Sequence, residues 1–416
     1  MYIPIERATH MDVQNIENLM TGLLQKIKSD GYSKEVVSNT TWIINHFKKY
    51  CNERGITTVT VPIMAEFLRE KYDIDYYNPS SAMQTVLRRP ILILYEFYLT
   101  GTFCRTHQKE RTIETPTQFK DFYLKFWSFI NSQNIVVQSK KRKLWVMSEF
   151  LMYLNKIGIN DITTIKVDTA HTYVSTALDR YARTTKHVIV TVLRETLEWL
   201  HSEKLISFTG RAAFPIIRKA PDTQILSYFS KEEIKKLLES VRLDCPHGKR
   251  DFAILSILVY LGLRVSDVAN IKFNNLDWNN NTINMIQLKT NHLVTLPFLD
   301  NIKIPLIDYL RNERLPKSSD EDYVFISTYA PFTKLVTGSF QRIVNKYMDK
   351  AEIDYSTRHR GPQALRHSLA TNLMNNNVPI SAISSVLGHA STRTTEIYLT
   401  VDERNLKNLS LDVPNV

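Results

Sequence analysis

The sequence predicts a mainly α-helical protein: two consecutive helical domains, then a mostly helical domain that carries a small β-hairpin. Apolar residues recur at helical spacing along most of the chain, the segment Phe47–Ile56 recurs as Phe150–Ile159, and one pair of short β-type runs interrupts the helical pattern. At ~150 residues per domain, a chain of 416 residues has room for two to three domains.

The repeat sets the organisation of the first half. Phe47, Tyr50, Asn52, Gly55 and Ile56 return as Phe150, Tyr153, Asn155, Gly158 and Ile159, each displaced by 103 residues, and Thr60 returns as Thr163. In each copy an amphipathic helix ends at a glycine suited to the left-handed position that follows a helix. A Thr-rich turn and a further helix come next, and each copy closes on an aromatic-rich helix containing Leu94–Leu99 or Leu197–Leu200. Duplication of one helical domain is the simplest account; a shared apolar pattern among short helices is the alternative. The polar stretch Cys104–Thr117 reads as a linker, which gives domains at 1–104 and 118–206. Residues 207–226, with Gly210, Pro215, Pro221, Arg211, Arg218 and Lys219, form a basic, helix-poor connector. The last domain, 227–416, opens at Ser230, which with Glu233 makes a capping box. Its β-type runs are Thr282–Lys289 and Leu293–Phe298, joined by Thr290-Asn291-His292.

Composition narrows the function class. The net charge of +11 is unevenly spread: 11 basic and 11 acidic side chains over residues 1–100, 19 against 10 over 101–219, and 23 against 21 over 220–416. A surplus in the middle segment suits contact with a phosphate backbone; a generically soluble basic protein is the plainer alternative. Lys140-Lys141-Arg142-Lys143 reads either as a localisation signal or as the basic face of a helix touching phosphates. Cys51, Cys104 and Cys245 are odd in number and lack metal spacing, which argues against a disulfide framework or structural zinc and predicts a reducing, cytoplasmic home. The first residues lack a signal-peptide layout, and the most apolar run, Ala253–Leu263, is shorter than the ~20 residues that span a bilayer. No membrane association is expected.

The last domain carries the chemistry. Leu261-Gly262-Leu263-Arg264-Val265-Ser266-Asp267-Val268 is followed by Gln363-Ala364-Leu365-Arg366-His367-Ser368-Leu369-Ala370-Thr371, then Leu387-Gly388-His389, and Tyr398 stands nine residues beyond His389. In order and interval these motifs resemble the tyrosine recombinase (phage integrase) family, closely over residues 228–405 and only in helical layout over 120–206. The resemblance implies Tyr398 as covalent nucleophile on DNA, Arg264 and Arg366 as the phosphate clamp, Lys289 as the acid for the leaving 5′-oxygen, and His389 either as a hydrogen-bond donor to a non-bridging oxygen or as a group that tunes the proton traffic. The residue types fit that chemistry. A phenol of pKa ~10 needs positioning and activation. Guanidinium groups fork onto phosphate oxygens and stay charged.

Leu365, Leu369 and Leu373 are expected to form the buried stripe of the Arg366 helix, with Arg366 and His367 turned off its centre. Ile380, Ile383 and Leu387 build the next helix, Gly388 ends it, and Ser391 caps the last one. Gln363 departs from the family, which usually has His there: it can still contact phosphate but cannot serve as a base. Asp267 stands where Glu is commoner and can orient Arg264; His367 is expected to anchor its helix.

By the same resemblance the protein clamps double-stranded recombination sites and assembles as a synaptic tetramer on nucleoid DNA, with an accessory directionality factor as a further partner and no metal or nucleotide cofactor. The extra copy at 1–104 points to an integrase or transposase of a mobile element. A Xer-like resolvase, a type IB topoisomerase-like enzyme and a non-catalytic DNA-binding protein are the alternatives. Leu406, Leu409 and Leu411 of the tail pack either on a neighbouring protomer or in cis.

Overall fold

The computed structural model describes residues 11–77, 79–103, 115–215, 228–314 and 322–388. Two compact units divide the chain, one made of segments 1–105 and 223–416 and the other of 106–222.

In the first unit, β1 (Met11–Asp12) pairs antiparallel with β2 (Thr58–Val59) beside the helices α1 (Ile16–Ser29), α2 (Lys34–Glu53), α3 (Val61–Tyr72) and α4 (Ala82–Thr100). Their apolar faces share a core containing Leu23, Ile43, Phe47, Phe67 and Leu94. The second unit has the same order: α5 (Lys120–Ser132), α6 (Val137–Lys156), α7 (Val167–Thr172), α8 (Arg183–Ser202) and the short α9 (Gly210–Ala213).

The sequence repeat is a structural one. α6 starts and ends 103 residues after α2. The N–H of Ile56 closes onto the carbonyl of Cys51 at 2.9 Å, and that of Ile159 onto Leu154 at 2.9 Å, the six-residue closure of a helix end. Phe47 meets Phe67 at 5.0 Å between ring centroids, and its counterpart Phe150 meets Tyr173 at 5.1 Å.

The C-terminal segment holds α10 (Lys231–Glu239), α11 (Gly248–Leu261), α12 (Val265–Ala269), a sheet of β3 (Leu276–Asp277), β4 (Thr282–Ile286) and β5 (Leu293–Pro297), and then α13 (Asp300–Asn312), α14 (Thr337–Lys350), α15 (Pro362–Asn375) and α16 (Ile380–Leu387). The expected capping box opens α10: Ser230 Oγ accepts the Glu233 N–H, and Glu233 accepts the Ser230 N–H. The hairpin is shorter than expected, pairing Thr282 with Pro297 through Ile286 with Leu293, and β3 extends it to three strands. α11 is buried almost all round because it packs against α10, α13 and α15 together. The Phe229 N–H donates to Ser368 Oγ at 2.8 Å, fastening the start of this segment to α15.

Among the described residues no helix is long and apolar enough to cross a membrane. The capping role of Ser391 and the packing of Leu406, Leu409 and Leu411 lie outside the described residues, as do most of the linker and connector.

Candidate active site

Arg264 stands at the turn between α11 and α12, where Gly262 ends α11 in the left-handed conformation and Arg264 itself is extended. The turn leaves its guanidinium partly exposed, donating from Nη1 to Gln287 Oε1 at 2.9 Å. Its other N–H groups have no protein partner among the described residues, and a guanidinium can fork onto an anion.

Arg366 is placed differently from expectation. It is 2% exposed and lies inside the core, whereas Leu369 and Leu373 are only half-buried. α15 packs against α11, α14 and α16, so more than one stripe is buried. What makes a guanidinium tolerable there is a pair of charge-assisted bonds, Nη1 to the carbonyl of Gly262 at 2.7 Å and Nη2 to that of Leu387 at 2.6 Å. Arg366 thereby ties the α11–α12 turn to the end of α16.

Lys289 is exposed in the hairpin turn between β4 and β5. Both its neighbours are anchored towards the arginines. The N–H of Leu288 donates to Asp267 Oδ1 at 3.0 Å, and Thr290 Oγ1 donates to Gln287 Oε1 at 3.0 Å. Asp267 is fully buried, and its Oδ2 has no hydrogen-bond partner within ordinary geometry among the described residues. Burial pushes its carboxyl above the usual carboxylate range, against the Leu288 N–H and the charges of Arg264 and Arg366, which draw it down.

Gln363 is exposed on the first turn of α15, with Nε2 3.4 Å from His367 Nε2, outside the group formed by Arg264, Gln287, Leu387 and Arg366. Burial first, then the charge of Arg366 and the nearby His359, pushes the His367 imidazole down to about 4, so it is neutral at physiological pH. Its half-buried place in α15 agrees with an anchoring part. His389 and Tyr398 lie outside the described residues; the chain is followed as far as Gly388, which is left-handed at the end of α16.

Sequence reasoning missed Gln287. It is 0% exposed, accepts from Arg264 and Thr290, and donates from Nε2 to the Leu387 carbonyl at 3.4 Å. The available signal was strand alternation: Ile283 and Met285 point inward, and Gln287 continues that series with a polar side chain.

The profile of the phage integrase family matches residues 227–405. A putative integrase/recombinase of Sinorhizobium fredii, y4gC, is 32% identical over 189 residues, spanning 45% of this chain and 96% of that protein. Tyrosine recombinase XerC of Bacillus pumilus is 28% identical over 268 residues, 63% of this chain and 85% of XerC. In fold, the chain is similar to XerH site-specific recombinase bound to palindromic difH substrate, with a TM-score of 0.55, 18% identity and coverage of 83% and 93%. It is also similar to the Tn1549 transposon integrase in complex with transposon right end DNA, with a TM-score of 0.52, 16% identity and coverage of 70% and 99%.

Proposed function

Because this chain belongs to the phage integrase family of tyrosine recombinases, it is a site-specific DNA strand transferase, and we propose that it cuts and rejoins DNA through Tyr398. The observation that supports this reading best is the hydrogen-bonded group linking Arg264 and Arg366 through Gln287 and the Leu387 carbonyl, with the turn of Lys289 fastened to it on both sides.

In the proposed reaction the Tyr398 oxygen attacks a backbone phosphorus while Arg264 and Arg366 stabilise the charge gathering on the non-bridging oxygens. The phenol gives its proton up to solvent, the bond to the 5′-oxygen breaks, Lys289 supplies the proton which that oxygen takes, and a 3′-phosphotyrosine ester remains. His389 contacts the same phosphate, and Gln363 is a weaker candidate for a phosphate contact from the first turn of α15. Attack by the 5′-hydroxyl of another strand reverses the step and releases the tyrosine. The bond energy stays in the ester throughout.

Four protomers on two DNA sites would perform the exchange, acting on nucleoid DNA. The segment 118–206 is assigned to the duplex backbone, a role that exposed Lys141 and Arg142 support. The segment 1–104, the same bundle without the charge surplus, is assigned to a wider footprint or to contact with another protomer. Integration or excision of a mobile element is the expected biological outcome.

The test is covalent capture. Purified protein is incubated with nicked suicide substrates bearing candidate element ends, beside Tyr398→Phe. A denaturation-resistant adduct at a 3′ phosphate, absent from the variant, is the expected result. Capture through another side chain would overturn the assignment.

A further inference from the structure

We propose that Gln287 is a positioning residue for strand cleavage, and that its neutral amide, accepting on one end and donating on the other, is required to hold Arg264, the Lys289 turn and the Leu387–Gly388 turn in one arrangement. This rests on the assignment of Arg264 and Lys289 to the reaction.

The carboxamide meets each of these three segments. Its oxygen receives Arg264 Nη1 at 2.9 Å and Thr290 Oγ1 at 3.0 Å, and its nitrogen reaches the Leu387 carbonyl at 3.4 Å. That carbonyl also takes Arg366 Nη2, so Gln287 joins the two arginines through one acceptor. Gly388 packs directly on the amide: a Cβ there would lie 2.3 Å from Gln287 Nε2. The side chain is wholly buried, where a polar group needs hydrogen-bond partners.

Chemistry selects an amide over its isosteres. An apolar side chain of the same length would leave the Thr290 hydroxyl without its acceptor and let the guanidinium of Arg264 swing. An ionised carboxylate would keep both accepted bonds, yet it would face the Leu387 carbonyl acceptor to acceptor. It would also pair with Arg264 and compete with the phosphate for that charge. A protonated carboxyl, in contrast, donates O–H where Nε2 donates and accepts where Oε1 accepts. The Gln287→Glu variant is therefore a reversible version of the native hub.

Full-length wild type, Gln287→Met, Gln287→Glu and Tyr398→Phe are compared for the rate of adduct formation on suicide substrates between pH 5 and 8, beside DNA affinity and thermal midpoint. Gln287→Met is expected to cleave about 100-fold more slowly, the loss typical of a reacting group displaced by about an ångström, with DNA affinity kept. Gln287→Glu is expected to be slow at pH 8 and to recover towards the wild-type curve as pH falls, while Gln287→Met keeps a constant ratio to wild type. A merely structural role would not produce that recovery. Wild-type cleavage by Gln287→Met, or a Gln287→Glu deficit unchanged with pH, would overturn the proposal while Tyr398→Phe still tests the recombinase reading by itself. If Gln287→Met does not fold, the pH response of Gln287→Glu decides alone.

Discussion

Arg366 donates to the main-chain carbonyl of Leu387 at 2.6 Å, so a side chain of α15 holds the last residue of α16 in place. Its other terminal nitrogen holds Gly262, two residues before Arg264. One buried cation thus fixes the turns from which the neighbouring groups project, and in the proposed reaction it would also bring charge to the phosphate. Arg264 is the opposite case, half-exposed and bound to a single side chain among the described residues.

The two arginines should therefore separate in stability. Arg366→Ala leaves the buried Gly262 carbonyl without its donor, the Leu387 carbonyl with only the longer bond from Gln287, and a cavity, and is expected to lower unfolding stability by about 2–4 kcal/mol. Arg264→Ala, at a partly exposed site, should change stability by less than about 1 kcal/mol and still reduce cleavage by roughly 100-fold or more. Urea unfolding beside suicide-substrate cleavage measures both. Equal destabilisation would contradict the burial difference.

Much of this was legible beforehand, and the gaps have physical causes. The repeat, the capping box at Ser230 and the helix end at Gly388 are local features, set by side chains within a few residues of one another. The burial of Arg366 is not local. It depends on α11, α14 and α16 surrounding α15, and helical periodicity cannot reveal how many neighbours a helix has. At the hairpin tip the usual code is inverted: Ile286 and Leu288 are exposed at 61% and 58%, while Gln287 between them is buried. Thr290 is a local partner, but Arg264 and Leu387 are 23 and 100 residues away along the chain, beyond any local pattern.

The basic run on α6 also divides once it is folded. Lys140 donates to the Asn131 carbonyl and Lys143 pairs with Glu195 at 2.9 Å, whereas Lys141 and Arg142 are exposed without a partner among the described residues. Replacing Lys141 and Arg142 together by Ala should weaken DNA binding uniformly across sequences and flatten the dependence of log K on log salt by about 1.8, or ~0.9 per phosphate contact. A titration from 50 to 200 mM salt, as order-of-magnitude bounds on the useful range, reads the slope. An unchanged slope would remove α6 from the DNA interface.

Two left-handed glycines provide a matched pair. Gly55 has φ +63° with nothing within 4 Å of a Cβ, and Gly388 has φ +62° with Gln287 Nε2 at 2.3 Å. Gly55→Ala should destabilise by about 1 kcal/mol through backbone conformation alone and leave cleavage intact. Gly388→Ala adds displacement of the Gln287 amide, so cleavage should fall well beyond what its stability loss explains. Thermal unfolding and adduct yield, taken on both variants, separate the steric part from the backbone part.

His367 makes the acid side of stability testable. Its folded-state value of about 4 lies below the ordinary 6.5, because burial and the adjacent Arg366 disfavour the imidazolium. The unfolded chain takes up the proton near pH 6.5 and the folded protein only near pH 4. Between those values the unfolded state binds more protons, so stability declines as pH is lowered from 6.5, and the full penalty is reached below 4. Above pH 6.5 the residue contributes no pH dependence. The neutral ring also suits Gln363, whose amide lies 3.4 Å away and can donate to an unprotonated Nε2. His367→Gln removes the titration while keeping a polar group in the helix, so its stability should fall less steeply than the wild type's between pH 6.5 and 4. Urea midpoints at pH 7 and pH 5 measure the difference, and parallel declines in the two proteins would show that His367 is not charged on unfolding in that window.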